Sequence, residues 1–180
     1  MSTKTLLTAD ALEQMPDDDS VQIELDEGEL ITMPPAGWRH GRCGVRIITI
    51  LETFTRARQL GLVYTPDTSF RLKDDTVRAP DVAFIRQDRV AAAHVGDYIH
   101  GHPDLAVEIF SPSDSARQLM RKVKQYFAAG THTVWIVYPV REEVQILEAT
   151  GADRLLQGDD PIEAPELLPG FSVPISEFFE

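Results

Sequence analysis

Cysteine is nearly missing from this chain of 180 residues, since Cys43 is the only one. A single cysteine cannot close an internal disulfide, and no Cys and His residues are spaced as zinc ligands. The sequence also lacks a signal-peptide stretch and any run approaching the roughly 20 apolar residues that cross a bilayer. We therefore expect a cytoplasmic protein with no membrane partner.

Positive charge is scarce as well. Lys and Arg number 17 against 29 Asp and Glu, which gives a formal net charge of −12. This balance argues against a broad nucleic-acid-binding face, although a small basic cleft stays compatible with it. With 43% hydrophobic residues the chain can build a substantial core, and we expect residues 1–180 to form a single domain.

The order of strand and helix patterns predicts an α/β fold with a mixed central sheet flanked by helices. Residues 21–35 are typical of a β-hairpin, and residues 38–59 and 113–129 of two long helices. Strand patterns occupy "LVYTPDTSFRL", "APDVAFIR", "DLAVEIF" and "THTVWIVYP", and "KDDTVR" reads as a loop. A short helix at 8–15 and the tail at 151–180 are expected to pack on this core.

The first long helix has two features that the sequence alone suggests. Its apolar stripe is expected to contain Val45, Ile48, Leu51 and Thr55. Elsewhere it carries arginines, which either line a nucleic-acid cleft or are solvated and balance neighbouring acids. These arginines are Arg39, Arg42, Arg46, Arg56 and Arg58.

Two acidic residues lie in otherwise apolar strands. Alternation places Glu108 on the same strand face as Ala106, and Asp81 on the same face as Ala83. Because each acid has a small neighbour, adjacent strands could leave space there for an ion with its waters. On the following helix, Lys122 lies beside the apolar stripe and is directed toward the sheet. Burying a carboxylate without such a cation would cost several kcal/mol.

Asp, Glu and Lys together suit metal-assisted hydrolysis of a phosphodiester bond by water. Carboxylate oxygens hold Mg²⁺, or Mn²⁺ in its place, and the ammonium positions or helps to deprotonate water. A buried Glu–Lys ion pair with a purely structural role explains the same letters. Spacing alone does not decide between the two interpretations.

The whole chain resembles the Uma-two family of endonucleases, within the PD-(D/E)XK nuclease superfamily. The similarity rests on "IELDEGELITMPP", "HGRCGVRIITILE", "APDVAFIR", "PDLAVEIFSPSD", "KVKQYFAAGTHTVWIVYP" and "LLPGFSVPISEFF". The resemblance implies a restriction-endonuclease-like fold, a homodimer and DNA as the substrate. The sequence departs from the superfamily pattern because Phe110, rather than lysine, lies two residues after Glu108.

Within this resemblance, Asp81 and Glu108 are the metal ligands, and Lys122 supplies the lysine from the following helix. The backbone carbonyl of Ile109 is expected to face the metal. Glu24 matches a family acid that assists a second metal or a metal-bound water, and an exposed hairpin acid is the alternative interpretation.

Three other positions have competing interpretations. His40 is in a position where the family often has a histidine, and phosphate contact or proton shuttling competes with helix capping or plain exposure. His100 and His102 fit a loop better than a metal pair. Tyr126 fits a packing aromatic on the apolar stripe, and a hydrogen bond near the acids is the alternative. The alternative function is a catalytically inactive nuclease-fold module that acts in protein interaction or regulation, which the charge of −12 favours.

Overall fold

The computed structural model describes residues 6–15, 21–33, 35–111 and 115–180. Position 34 of the predicted hairpin and positions 113 and 114 of the predicted second helix lie outside this part of the chain. None of the helices within it is long and apolar enough to span a membrane. Its helices are α1 (Ala9–Glu13), α2 (Trp38–Arg58), α3 (Gln87–Ala93) and α4 (Ala116–Ala129), followed by a 3₁₀ turn at Ile175–Phe178.

Short strands connect these helices. In chain order they are β1 (Gln22–Asp26), β2 (Glu29–Met33), β3 (Gly61–Tyr64), β4 (Phe70–Lys73), β5 (Thr76–Arg78), β6 (Val82–Arg86), β7 (Ile99–His100), β8 (Leu105–Ile109), β9 (Thr133–Tyr138), β10 (Glu143–Glu148), β11 (Asp153–Gln157), β12 (Pro161–Glu163) and β13 (Ser172–Pro174).

Among the described residues the strands form two larger sheets and one small one. The central sheet has the order β11-β10-β9-β8-β6-β3, the second sheet has the order β2-β1-β5-β4-β7, and β12 pairs with β13. In the central sheet β8 is parallel to β9 and antiparallel to β6. The predicted mixed α/β fold is therefore confirmed.

The predicted hairpin is formed by β1 and β2, which pair antiparallel from Gln22–Met33 to Asp26–Glu29. Its two turn residues both have positive φ, 49° at Glu27 and 86° at Gly28. Glycine tolerates this conformation, and a Cβ at position 28 would lie only 2.8 Å from the Cβ of Leu6. The turn chemistry thus fixes the register that directs Glu24 into the protein.

Strand β8 separates two different environments. Leu105, Val107 and Ile109 join the large apolar cluster with α2, whereas Ala106 lies in a smaller cluster with α4. This confirms the predicted alternation, and Glu108 shares the face of Ala106. Residues of the C-terminal tail also enter the large cluster, including Leu168, Phe171, Ile175 and Phe178.

The predicted stripe of α2 is confirmed at Leu51 and Thr55 and wrong at Val45. The buried residues of this helix are Cys43, Ile47, Leu51 and Thr55. Ile48 is partly buried and packs against the large apolar cluster, whereas Val45 is 58% exposed. Val45 is two residues from Cys43 and from Ile47, which places it on the opposite side of the helix.

Two further expectations are corrected. The segment "KDDTVR" is not all loop, because Thr76–Arg78 forms the buried strand β5 between β1 and β4. The stretch "LVYTPDTSFRL" contains two strands, β3 and β4, which belong to different sheets. Three-residue strands are too short to show a period, so only pairing partners reveal them.

Candidate active site

A cavity of about 420 Å³ opens between the hairpin, the start of α2, the end of β8 and α4. Its lining includes the five residues for which the sequence predicts a catalytic or metal-binding role. These are Glu24, Asp81, Glu108, Ile109 and Lys122. The structure therefore brings the nominated residues to one place, although they come from β1, β8, α4 and the residue before β6.

Asp81 lies where β6 and β8 diverge. Their ladder ends at the pair Val82–Val107, and beyond it the backbone N–H of Ile109 donates to Oδ2 of Asp81 at 2.6 Å. Oδ1 of Asp81 lies 3.1 Å from Nε2 of His40, in the first turn of α2. The carboxylate thus accepts the hydrogen bond that a backbone carbonyl of a neighbouring strand would otherwise accept. It does so where β6 and β8 separate and the cavity opens.

Glu108 is held by donors from one helix face. Its Oε2 accepts from Nζ of Lys122 at 3.0 Å, and its Oε1 accepts from the hydroxyl of Tyr126 at 2.7 Å. Lys122 and Tyr126 lie one turn apart on α4, so both side chains reach the same carboxylate. Tyr126 thus packs in the apolar cluster under α4 and also hydrogen-bonds to the acid, so both interpretations of it hold.

Glu24 is buried, with only 1% of its surface exposed, so its interpretation as an exposed hairpin acid is wrong. Its Oε1 accepts from Nζ of Lys122 at 2.9 Å and from the backbone N–H of Ala79 at 3.1 Å. Lys122 therefore bridges two carboxylates that belong to different sheets. This bridge ties the hairpin to the central sheet through α4.

Burial sets the protonation behaviour of this group. The pKa of Glu108 is raised to about 7 by desolvation and by the nearby charges of Asp81 and Glu24, which together outweigh the opposing effects of Lys122 and of the Tyr126 hydrogen bond. The pKa of Lys122 is raised above its ordinary value because its two carboxylate partners outweigh desolvation. The ammonium therefore stays charged near neutral pH, whereas Glu108 is poised to exchange a proton.

The sequence patterns do not predict the buried position of Arg78 or its ion pairs. This side chain is 2% exposed, and it donates to Oε2 of Glu24 at 2.8 Å and lies 2.7 Å from Oδ1 of Asp26. It also donates to Oε1 of Gln125 on α4. Since position 78 was assigned to a loop, its burial was not expected. The available signal was an arginine three residues before Asp81, which a hairpin acid could neutralise.

The charge of the lining favours a divalent cation. Among the described lining residues, Glu24, Asp26, Asp81 and Glu108 face the two permanent cations Arg78 and Lys122. With His40 neutral, this leaves an excess of two negative charges when Glu108 is ionised and of one when it holds a proton. No group of three or more His, Cys, Asp or Glu side chains in the described ranges is arranged to hold a metal ion by itself.

This donor set nonetheless fits Mg²⁺, which commonly uses one or two carboxylates and keeps several waters. Asp81 and Glu108 each have one partner on each oxygen among the contacts above, and a carboxylate offers about four acceptor sites. Both can thus accept a cation without losing their present hydrogen bonds.

The remaining nominated residues have defined surroundings. His40 contacts Asp81 at the cavity, so plain surface exposure is wrong for it. His102 lies in a loop, partly buried against Gly130, whereas His100 is exposed and ends strand β7, so the loop interpretation holds for His102 alone. Of the α2 arginines, Arg46 donates to the backbone of Glu177, and Arg58 lies over the ring of Phe54 at 3.9 Å.

The chain is similar to a protein family and to a solved structure. No curated protein matches the chain. A solved structure described as a putative nuclease belonging to DUF820 from Anabaena variabilis superposes with a TM-score of 0.83 at 17% identity, covering 96% of this chain and 97% of that one. The likeness establishes the restriction-endonuclease-like fold.

The family model named Uma2, described as "Putative restriction endonuclease", matches residues 9–176. The match includes every residue of the cavity group described above, from Glu24 to Lys122. It agrees with the sequence resemblance to the Uma-two family. This chain belongs to the Uma2 family of restriction-endonuclease-like nucleases.

Proposed function

We propose that this protein is a metal-dependent endonuclease that hydrolyses phosphodiester bonds in DNA. The observation that carries the proposal is the meeting of Asp81, Glu108 and Lys122 at one cavity in whose lining acidic residues outnumber Lys and Arg. The family description supports the reaction class. The metal, the DNA substrate and the homodimer are parts of this proposal.

Asp81 and Glu108 would hold Mg²⁺ or Mn²⁺, with the carbonyl of Ile109 as a further predicted ligand. Bound there, the ion would offset phosphate charge and make water a better nucleophile. The protein itself fixes the two carboxylates before the ion arrives, through the Ile109 N–H, Tyr126 and Lys122. Binding then needs little reorganisation of the side chains.

Lys122 acts as a fixed cation. An ammonium has three donors, and the contacts with Glu24 and Glu108 use two of them. The third is available to hold the attacking water or a phosphate oxygen. Because the pKa of Lys122 is raised, orienting water suits it better than accepting a proton.

The test is cleavage of plasmid DNA in Mg²⁺ or Mn²⁺ by Asp81→Asn and Glu108→Gln proteins. We expect each variant to be slower by about 10³-fold, because several kcal/mol of charge stabilisation depend on these carboxylates. Asp67→Asn, in an exposed turn, is the matched control and should cut at the normal rate. Equal rates for all four proteins would contradict the assignment.

The alternative is a catalytically inactive module that acts in protein interaction or regulation. The net charge of −12 favours it, since such a chain repels a polyanion. Calorimetric titration with Mn²⁺ separates the two functions. Binding that Glu108→Gln abolishes supports the nuclease, and no heat at millimolar Mn²⁺ supports the module.

A further inference from the structure

An exposed tryptophan begins the helix whose first turn lines the candidate active site. Trp38 is 73% exposed, which is unusual for a large apolar side chain. Pro35 and Ala36 before it and His40 after it line the cavity, so its backbone is close to the cavity although Trp38 is not one of the lining residues.

Arginines accompany this tryptophan. The guanidinium of Arg39 lies 4.5 Å from the centre of the Trp38 ring, in a cation–π arrangement, and Arg42 is exposed one turn further along. Residues 38–46 contain three arginines and no acidic residue, in a chain with a net charge of −12. We call Trp38, Arg39 and Arg42 the tryptophan–arginine patch.

This combination matches the chemistry of unpaired nucleotides. Arg39 lies against one part of the indole surface, and the high exposure leaves much of the rest open to a planar partner. Nucleic-acid bases stack on such rings without regard to sequence, and arginines nearby contact the phosphates. A base within a duplex is already stacked on both sides and cannot make this contact.

We infer that the tryptophan–arginine patch binds a single-stranded segment of the nucleic acid next to the bond that is cut. A base stacks on Trp38, while Arg39 and Arg42 contact the adjoining phosphates. The inference rests on the proposed function for the class of polymer. It restricts the contact to the first two turns of α2, whereas the sequence pattern points to arginines along the whole helix.

The chain offers a direct measurement, because it contains two tryptophans and the other one, Trp135, is fully buried. Titration with oligo(dT) in EDTA, where cleavage does not occur, should quench the fluorescence of Trp38. Trp38→Ala should remove the quenching and weaken binding about tenfold or more, and Trp38→Phe should restore part of the affinity. Binding of oligo(dT) by Trp38→Ala at normal affinity would overturn the inference.

The charged members are tested by salt dependence. Arg39→Ala/Arg42→Ala should lower the slope of log K against log salt by about 1.4, since each phosphate contact on a single strand contributes roughly 0.7. Arg56→Ala is the matched control and should leave binding unchanged. At 1.5 Å per residue, Arg56 lies about 27 Å from Trp38 along the same helix. An equal loss in the Arg56 variant would indicate diffuse attraction and contradict the patch.

Two other occupants give distinct results. Duplex DNA that quenches Trp38 as strongly as oligo(dT) would contradict stacking of an unpaired base. A dimer that dissociates in the Trp38→Ala protein, measured by sedimentation, would assign the patch to a second copy of the chain. Cleavage is measured separately in Mg²⁺, so normal oligo(dT) binding with no cleavage would overturn the proposed hydrolysis and leave this inference standing.

Discussion

The two long helices pack on opposite faces of β8 and bury very different side chains. Helix α2 covers the face of Leu105, Val107 and Ile109 with apolar residues such as Ile47 and Leu51. Its one buried hydroxyl, that of Thr55, hydrogen-bonds within the helix. Helix α4 covers the face of Glu108, and its buried residues are Leu119, Lys122, Val123 and Tyr126. One strand therefore serves a dry core on one side and a charged group on the other.

The difference shows where the fold accepts an energetic cost. Burying ions is unfavourable, and their mutual attraction offsets that penalty only when the geometry and the hydrogen bonds are complete. On the α4 side Lys122 has two carboxylate partners and Glu108 has two donors. An apolar face like that of α2 would need none of these contacts.

The largest effect should come from breaking the charged face. Lys122→Met leaves Glu24 and Glu108 buried without their shared cation, and we expect a loss of about 3–5 kcal/mol in the free energy of unfolding at pH 8. Lys124→Met, exposed on the same helix, is the control and should change stability by less than about 0.5 kcal/mol. Urea denaturation measures both, and equal stability of the two variants would contradict the bridging role.

The apolar face gives a slightly smaller effect. Leu51→Ala removes a fully buried side chain from α2, and we expect a loss of about 2–5 kcal/mol. Val45→Ala, 58% exposed, should cost less than about 0.5 kcal/mol. The same denaturation experiment checks which side of α2 is buried, since a larger cost at Val45 would place this residue in the apolar stripe, as the sequence predicts.

The smallest effect is a slope with pH, and it distinguishes the two faces. Glu108 has an ordinary pKa of 4.5, raised to about 7 in the folded state. Between these values the folded protein holds a proton that the unfolded chain has lost, so stability falls as pH rises. One proton limits this slope to about 1.4 kcal/mol per pH unit.

The measurement compares wild-type and Glu108→Gln proteins in EDTA from pH 4.5 to 7.5. Glutamine cannot ionise, so the difference between the two stability curves isolates the contribution of Glu108 from other groups that titrate in the window. Leu51→Ala serves as the second reference and should parallel the wild type. Parallel curves for the Glu108→Gln and wild-type proteins would show that the pKa of this carboxyl is not raised.

Much of the framework was predictable from local patterns. The hairpin turn at Glu27–Gly28, the end of α4 at Gly130 and the alternation along β8 depend on neighbouring residues alone. The direction of Lys122 also followed from helical geometry, because a residue beside an apolar stripe faces the sheet that the stripe covers. Local chemistry was sufficient in each case.

Other features were not predictable from single segments. Strand β5 is only three residues long. Arg78 within it forms ion pairs with Glu24 and Asp26 on β1, more than 50 positions away. The contact of His40 with Asp81 likewise joins the start of α2 to the end of a distant loop. Such pairings depend on how the two sheets approach each other around α4.

By itself the sequence determined the order of the main elements, the inward faces of the main strands, and the presence of two acids beside strands and of a lysine on the helix that covers them. Only the tertiary structure decided that Lys122 joins two carboxylates, that Arg78 balances the hairpin acids and that residues on either side of Trp38 line the cavity. The physical reason is range: turns and periodicity act between residues a few positions apart, whereas burial and charge pairing depend on groups that meet only when the chain has folded.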